Sequence, residues 1–376
     1  MSKIKIGVIG LGFMGLSHAR NIAGGKCPEL ELTAVSEKFP ARLEQVKAEL
    51  GENIRYFDDA EALLDSKLCD AVLIATPHYD HPGLAMAAFA RGIHVLCEKP
   101  AGVYTAHVRE MNEAADKSGV VFGMMFQQRT LPAYKKMFEL VQSGTLGNIR
   151  RVSWIITNWF RTQSYYDSGA WRATWAGEGG GVLLNQCPHN LDLFQWICGM
   201  PEKIRSHCHI GKWHDIEVED DVTAYMEFPN GATGTFITST GDLPGSNRFE
   251  IALDKGKLVC EDGSNLTLWE LNKPIQVLSK AKKESEAPEI KPEITKVSFE
   301  LPKVADTHMM VANEFAGAIL RGTPLVADGR EGINSLTLSN AMYLSAWTES
   351  EVKLPIDDKL FYDELMKRVN SSKYKA

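Results

Sequence analysis

The sequence predicts a doubly wound α/β domain over residues 1–126, followed over 127–376 by an α+β domain with an open, mainly antiparallel sheet. Three observations predict this. Short apolar runs alternate strictly with helical spacings up to about residue 125, as in a parallel sheet with crossover helices. The first run leads into Gly10-Leu11-Gly12-Phe13-Met14-Gly15, a glycine turn between strand and helix. After Gln127 the segments lengthen, alternate apolar with polar, and stand close together, which favours antiparallel neighbours. A chain of 376 residues also exceeds one ordinary core.

The elements follow in order. Residues 4–9 suit a buried parallel strand and 13–23 a helix, ending at Gly24-Gly25. Strands are expected at 30–35, 55–57, 70–75, 93–97 and 120–125, with helices at 40–50, 58–64, 82–90 and 105–117. Right-handed crossovers put the strands' carboxyl ends on one edge, where open α/β sheets bind ligands. Gly10, Glu37, Thr76, Glu98 and Gln127 all fall just after such ends. In the second domain a helix is expected at 132–142. Strands are expected at 149–157, 202–210, 221–228, 231–239, 248–253, 256–261 and 265–271. Asn230-Gly231 signals a hairpin. Residues 280–296, rich in Lys, Glu and Pro, read as an exposed loop or hairpin tip. Helices at 306–321 and 332–346 end the pattern, and this region is expected to pack back on the first domain.

A formal net charge of −7 argues against a nucleic-acid partner, which needs a basic face. No apolar stretch approaches the roughly 20 residues of a membrane helix, so no membrane partner is expected. The strand pattern starts almost at Met1, leaving no room for a signal peptide, and the seven cysteines include no Cys-x-x-Cys pair. Both point to reduced thiols in the cytoplasm.

The glycine turn carries the first chemistry. Gly10 permits the tight turn, Gly12 lets a diphosphate approach the backbone, and Gly15 lets helix pack on strand. Amides from Gly12 to Met14, with Phe13 between, then meet negative charge at a helix start. Glu37, at the end of the second strand, suits ribose hydroxyls and repels a 2′-phosphate. NAD is therefore expected over NADP, with Lys38 and Arg42 softening the preference. Thr76, Pro77, Glu98, Lys99 and Gln127 lie on the same edge and are expected around the cofactor. An ammonium at Lys99 would favour alkoxide character on a substrate hydroxyl as hydride leaves. Gly179-Gly180-Gly181 leads through Asn185 to His189 and Asp192, and a helix begins near that histidine. His189 is the candidate base, since an unperturbed imidazole titrates near working pH. No metal is expected: His207 and His209 share a strand face, but no further ligand spacing supports them. Glu217, Glu219, Asp220 and Asp221 read as a solvated acidic loop.

Taken together, Gly10-x-Gly12-x-x-Gly15, Thr76-Pro77-x-x-x-His81, Glu98-Lys99-Pro100, the 179–192 segment and Val352-Lys353-Leu354-Pro355 resemble the glucose–fructose oxidoreductase, inositol dehydrogenase and rhizopine-catabolism (Gfo/Idh/MocA) family. The resemblance implies a Rossmann domain and a second domain whose open sheet forms homodimer or homotetramer contacts. It implies that Lys99 and His189 contact the reacting hydroxyl, that His189 accepts its proton, and that His81 lies near the cofactor. The family's aspartate four residues before the histidine is Asn185 here, which keeps hydrogen bonding but loses the anion. Asp192 keeps the pattern and shares a helical face with His189. Substrates would be polyols, sugars or glycosides. Arg129, Trp159, Arg161, Trp171, Arg172 and Trp175 fit such ligands, with Trp171-Arg172, near the glycine segment, the leading substrate-side pair. Net oxidation of a secondary alcohol is the leading expectation. Redox-neutral glycoside cleavage is the alternative, with Tyr165, Tyr166 or His189 as a second base. A sensor without turnover is the third reading; it would be marked by a lost Lys99 or His189, and both are present.

Overall fold

A computed structural model describes residues 3–280 and 292–374, and the part of the expected 280–296 loop at 281–291 lies outside the described residues. The chain divides into two compact units. Unit 1 comprises Met1–Thr130, Gly177–Gly179 and Pro302–Leu336, and unit 2 comprises Leu131–Ala176, Gly180–Leu301 and Thr337–Ala376.

Unit 1 is built on six strands: β1 (Ile4–Ile9), β2 (Leu30–Ser36), β3 (Arg55–Phe57), β4 (Ala71–Ile74), β5 (His94–Cys97) and β6 (Phe122–Met124). Their order is β3-β2-β1-β4-β5-β6, with every pair parallel. Every residue of β4 is buried, as expected of a strand covered on both faces. The helices α1 (Phe13–Ala23), α2 (Pro40–Leu50), α3 (Ala60–Asp65), α4 (Asp80–Ala90) and α5 (Thr105–Ser118) are the crossovers. Helix α4 begins two residues before the expected start, because Asp80 continues the turn in which its amide bonds the Pro77 carbonyl. The order reverses between β1 and β4, so the glycine turn after β1 sits at the sheet's switch point. The late helix Val304–Arg321 belongs to this unit: Met309, Val311, Ala312 and Phe315 join the core formed by Ile6, Val8 and Leu73.

Unit 2 is built on β7 (Ile149–Ile156), β8 (Lys203–Ile210), β9 (Glu219–Glu227), β10 (Thr233–Ser239), β11 (Asn247–Leu253), β12 (Gly256–Glu261), β13 (Asn265–Glu270), β14 (Glu293–Ser298) and β15 (Val352–Lys353). Their order is β14-β13-β12-β11-β7-β10-β9-β8-β15, antiparallel except for β7 beside β10. The Asn230-Gly231 hairpin forms, with Gly231 at φ +80 and the Ala232 amide bonded to Asn230 Oδ1. One expectation is corrected in part: residues 293–296, the end of the expected loop or hairpin tip, belong to the edge strand Glu293–Ser298, which pairs with β13. Every residue in it is exposed, so its sequence lacks the apolar face that would have marked it.

Alternation gives the sheet one buried face. Val152, Trp154, Ile156, Phe236, Phe249 and Ile251 point to it, and Trp154 stacks on Phe249 at 4.1 Å between centroids. Helix Pro188–Cys198 supplies Phe194, 6.2 Å from both Phe236 and Phe249. That packing anchors the helix that opens on His189.

Candidate active site

The glycine turn and the other residues expected at the cofactor lie in unit 1. Gly10 adopts φ +87, and a Cβ there would come within 2.8 Å of the Ala75 carbonyl oxygen. A Cβ on Gly15 would stand 1.8 Å from the Gly10 carbonyl oxygen, so helix α1 packs against the turn only because it lacks one. Gly12 differs: nothing lies within 4 Å of its Cβ position. The turn is thus closed on its protein side and open at Gly12, where α1 starts without a side-chain cap. Open amides at a helix start fit a dinucleotide diphosphate beside Gly12, Phe13 and Met14.

Glu37 is buried; its Oε2 accepts from the Leu11 amide at 2.9 Å and Oε1 from the Phe39 amide at 3.1 Å. Arg42 Nε donates to the Leu11 carbonyl at 2.9 Å. The carboxylate therefore shapes the glycine turn, and each oxygen keeps a second lone pair for ribose hydroxyls. Lys38 is exposed, its ammonium 5.5 Å over the Phe39 ring. Thr76 Oγ1 and Gln127 Oε1 are buried without a hydrogen-bond partner among the described residues. Orphaned polar atoms at two expected cofactor positions fit a bound polar group. Both ring nitrogens of His81 are engaged by backbone carbonyls. Its Nδ1 lies 2.7 Å from the Pro100 carbonyl and Nε2 2.8 Å from the Thr76 carbonyl. Burial lowers its pKa. His81 is a brace between the Thr76-Pro77 turn and the exit of β5.

The Lys99–Pro100 peptide is cis, and Lys99 is partly exposed beside a fully committed Glu98. Glu98 Oε1 meets His18 Nε2 at 2.7 Å, and Oε2 accepts from the Lys99 amide at 3.2 Å. Burial raises the Glu98 carboxyl, but the His18 hydrogen bond and the charges of His18, His308 and Lys99 outweigh it and bring it down to about 2. His18, Glu98 and His308 also have metal-ligand spacing, with ligand atoms within 4.8 Å of one another. Nothing in the sequence marks this trio, because residues so far apart in the chain carry no joint signal. Arg129, expected at the substrate, is buried in unit 1, where it donates to Glu331 Oε2 at 2.7 Å and lies over Phe126.

In unit 2, His189 and Asp192 are buried on one helix, and Asp192 Oδ1 accepts from Gln195 Nε2 at 3.1 Å. The glycine segment before them is held by Glu219, which is fully buried. Its carboxylate accepts from the amides of Gly181 and Leu183, the latter at 2.9 Å, and from the Tyr343 hydroxyl at 2.7 Å. Burial pushes this carboxyl up to about 7 against the pull of those hydrogen bonds. The expected solvated acidic loop is therefore wrong for its centre. Asp220 is also fully buried, bonded to the amides of Lys212, Trp213 and His214. Short polar runs look alike in sequence whether water or backbone amides satisfy them.

Asn185 Nδ2 donates to the Tyr165 hydroxyl at 3.3 Å, and Arg172 Nη1 donates to it at 2.9 Å. Arg172 lies 4.7 Å from the centroids of both Tyr165 and Trp171. Trp171, Arg172 and Asn185 thus belong to one cluster around Tyr165. Trp175 is buried core beside Tyr343 and Trp347.

Two family models match the chain. Residues 4–126 match an oxidoreductase family with an NAD-binding Rossmann fold, and residues 134–259 match the GFO/IDH/MocA C-terminal domain. The myo-inositol 2-dehydrogenase of Thermotoga maritima is 26% identical over 361 residues, 93% of this chain and 98% of that protein. The rhizopine catabolism protein MocA of Rhizobium meliloti is 29% identical over 199 residues, 53% of this chain and 58% of its own length. The WlbA dehydrogenase of Bordetella pertussis, solved in complex with NADH and UDP-GlcNAcA, superimposes with a TM-score of 0.78 at 26% identity, covering 94% of this chain and 100% of that one. With models for both domains matched in order, and the glycine turn and parallel sheet they require in place, the chain belongs to the GFO/IDH/MocA family of NAD-binding oxidoreductases.

Proposed function

We propose that the chain is an NAD-dependent dehydrogenase that oxidises a secondary alcohol of a sugar or polyol. The observation that supports it most is the conjunction, on one chain, of a glycine turn open only at Gly12 with an intact Lys99 and His189. Bound NAD supplies the hydride acceptor. Gly12, Phe13, Met14 and Glu37 hold it, and Thr76 and Gln127 offer it their buried polar atoms. Lys99 places positive charge by the reacting oxygen and stabilises the alkoxide that develops there. His189 takes the hydroxyl proton, and reduction of the ketone reverses its role. Glu98, held by His18, keeps the backbone at Lys99 in place through the Lys99 amide. The seven cysteines are free thiols, which supports a reducing, cytoplasmic setting. The described residues contain no helix long and apolar enough to cross a membrane.

The test is NADH absorbance after mixing protein and NAD with inositols, free sugars and glycosides. Net NADH that vanishes in His189→Ala is the expected result. Aglycone released without net NADH would replace it with redox-neutral glycoside cleavage.

A further inference from the structure

Glu219 opens β9 with a fully buried carboxylate that takes no part in the proton or hydride steps. What faces it are donors of the backbone and a phenol rather than a cation. Oε2 accepts from the Gly181 amide at 3.0 Å, and Oε1 accepts from the Leu183 amide at 2.9 Å and the Tyr343 hydroxyl at 2.7 Å. Taking a carboxylate out of water without a counter-ion is costly. An apolar side chain would avoid that cost but leave both amides orphaned.

The segment comes this close only because it lacks side chains. A Cβ on Gly181 would stand 2.0 Å from the Glu219 carbonyl oxygen, and one on Gly180 would stand 2.2 Å from the Tyr343 hydroxyl. Tyr343 is itself fixed, stacked on Trp347 at 5.4 Å between centroids and edge-on to Trp175 at 5.6 Å.

From this clasp a run of backbone hydrogen bonds reaches the residues expected at the substrate, all within unit 2. The Val182 amide donates to the Glu219 carbonyl at 3.1 Å, and the Asn185 amide to the Gly181 carbonyl at 2.9 Å. The Cys187 amide donates to the Val182 carbonyl at 2.8 Å. The Cys187 carbonyl in turn accepts from the Leu191 amide at 2.9 Å, in the first turn of the helix that carries His189. A shift at Gly181 or Leu183 is thus passed on to Asn185 and to the start of that helix.

We propose that Glu219 and Tyr343 are positioning residues of the reaction: their clasp on Gly181 and Leu183 sets where Asn185 and His189 stand toward the substrate. This rests on the dehydrogenase reading above and adds the support on which its proton acceptor depends.

Two variants test it. Tyr343→Phe removes one hydroxyl and keeps the packed ring. Glu219→Gln keeps one acceptor oxygen and puts a donor where the other stood. Amide hydrogen exchange reads the clasp. Peptides covering 181–189 should exchange about tenfold or more faster in both variants, the scale of one buried hydrogen bond, while β11 and β12 keep parental rates. Turnover reads the consequence, with NADH formation followed on myo-inositol, scyllo-inositol, glucose, galactose and methyl β-D-glucoside. For the most rapidly oxidised of these, kcat per NADH-binding site should fall about tenfold or more, because a misplaced base loses its near-attack geometry. KM for NAD, whose expected residues lie in unit 1, should stay parental. NADH titration counts folded sites, and Tyr343→Phe carries the test if Glu219→Gln does not fold. Parental exchange at 181–189 would overturn the proposal. Exchange that rises equally across β11 and β12 would mark a merely structural role and overturn it too. Faster exchange at 181–189 with parental kcat would overturn the positioning role and leave the dehydrogenase reading intact. A parent protein that forms no NADH with any of the five compounds would overturn that reading, and the positioning role with it.

Discussion

Gly12 and Gly15 lie in one turn, yet the same added methyl has opposite consequences at each. At Gly12 a Cβ meets nothing within 4 Å, and φ is −62. Gly12→Ala should keep its denaturation midpoint, with stability within about 0.5 kcal/mol of the parent. Its NADH affinity, read by fluorescence titration, should fall about tenfold or more, because the methyl fills the diphosphate's approach. At Gly15 the Cβ collides with the Gly10 carbonyl. Gly15→Ala should lose roughly 1–3 kcal/mol or more of stability in the same denaturation series. Equal behaviour of the two variants would remove the cradle argument. His189→Ala should lower kcat by about a hundredfold or more, the usual worth of a positioned base, with NADH affinity unchanged. A variant that keeps full turnover would assign the proton transfer to another group.

At the scale of elements, the helix Pro188–Cys198 and the segment before it set where His189 stands. The helix is anchored by Phe194 against Phe236 and Phe249. Phe194→Ala should cost about 3–5 kcal/mol by chemical denaturation, as for other buried aromatic truncations. The segment hangs on Glu219, which holds the Gly181 and Leu183 amides. Its folded pKa is raised from 4.5 to about 7, so between those values the folded protein holds a proton that the unfolded chain releases. This contribution to stability is complete below about 4.5 and is lost as pH rises through about 7. Glu219→Gln should flatten that part of the curve of melting temperature against pH. An unchanged slope would show that another group titrates there.

For the whole molecule, the outer face of the unit 2 sheet bears on assembly. Ile155, Ile237, Thr223, Thr235 and Tyr225 share that face through cross-strand pairing. Ile155 and Tyr225 remain 40% and 43% exposed. We propose that a second copy of the chain covers it, giving a dimer or a tetramer. Light scattering should report at least twice the chain mass, and Tyr225→Lys with Ile155→Lys should shift the mass toward one chain. A parent that is monomeric at micromolar concentration would refute this.

The sequence by itself determined the periodic parts of this protein. Strict alternation and the glycine turn specified the parallel sheet and its ligand edge, because local geometry and apolar spacing suffice for both. Lys99 and His189 could be nominated from the sequence because each sits in a motif of neighbours. Tertiary structure alone decided which polar residues are satisfied internally. Arg129 pairs with Glu331, His81 braces two backbones, and Glu98 meets His18 with His308 close by. Glu219 and Asp220 are buried although their run reads as solvated. Strand β14 pairs without an apolar face of its own. Each of these depends on partners far along the chain, and the free energy of a polar group is set by those partners rather than by its neighbours in sequence.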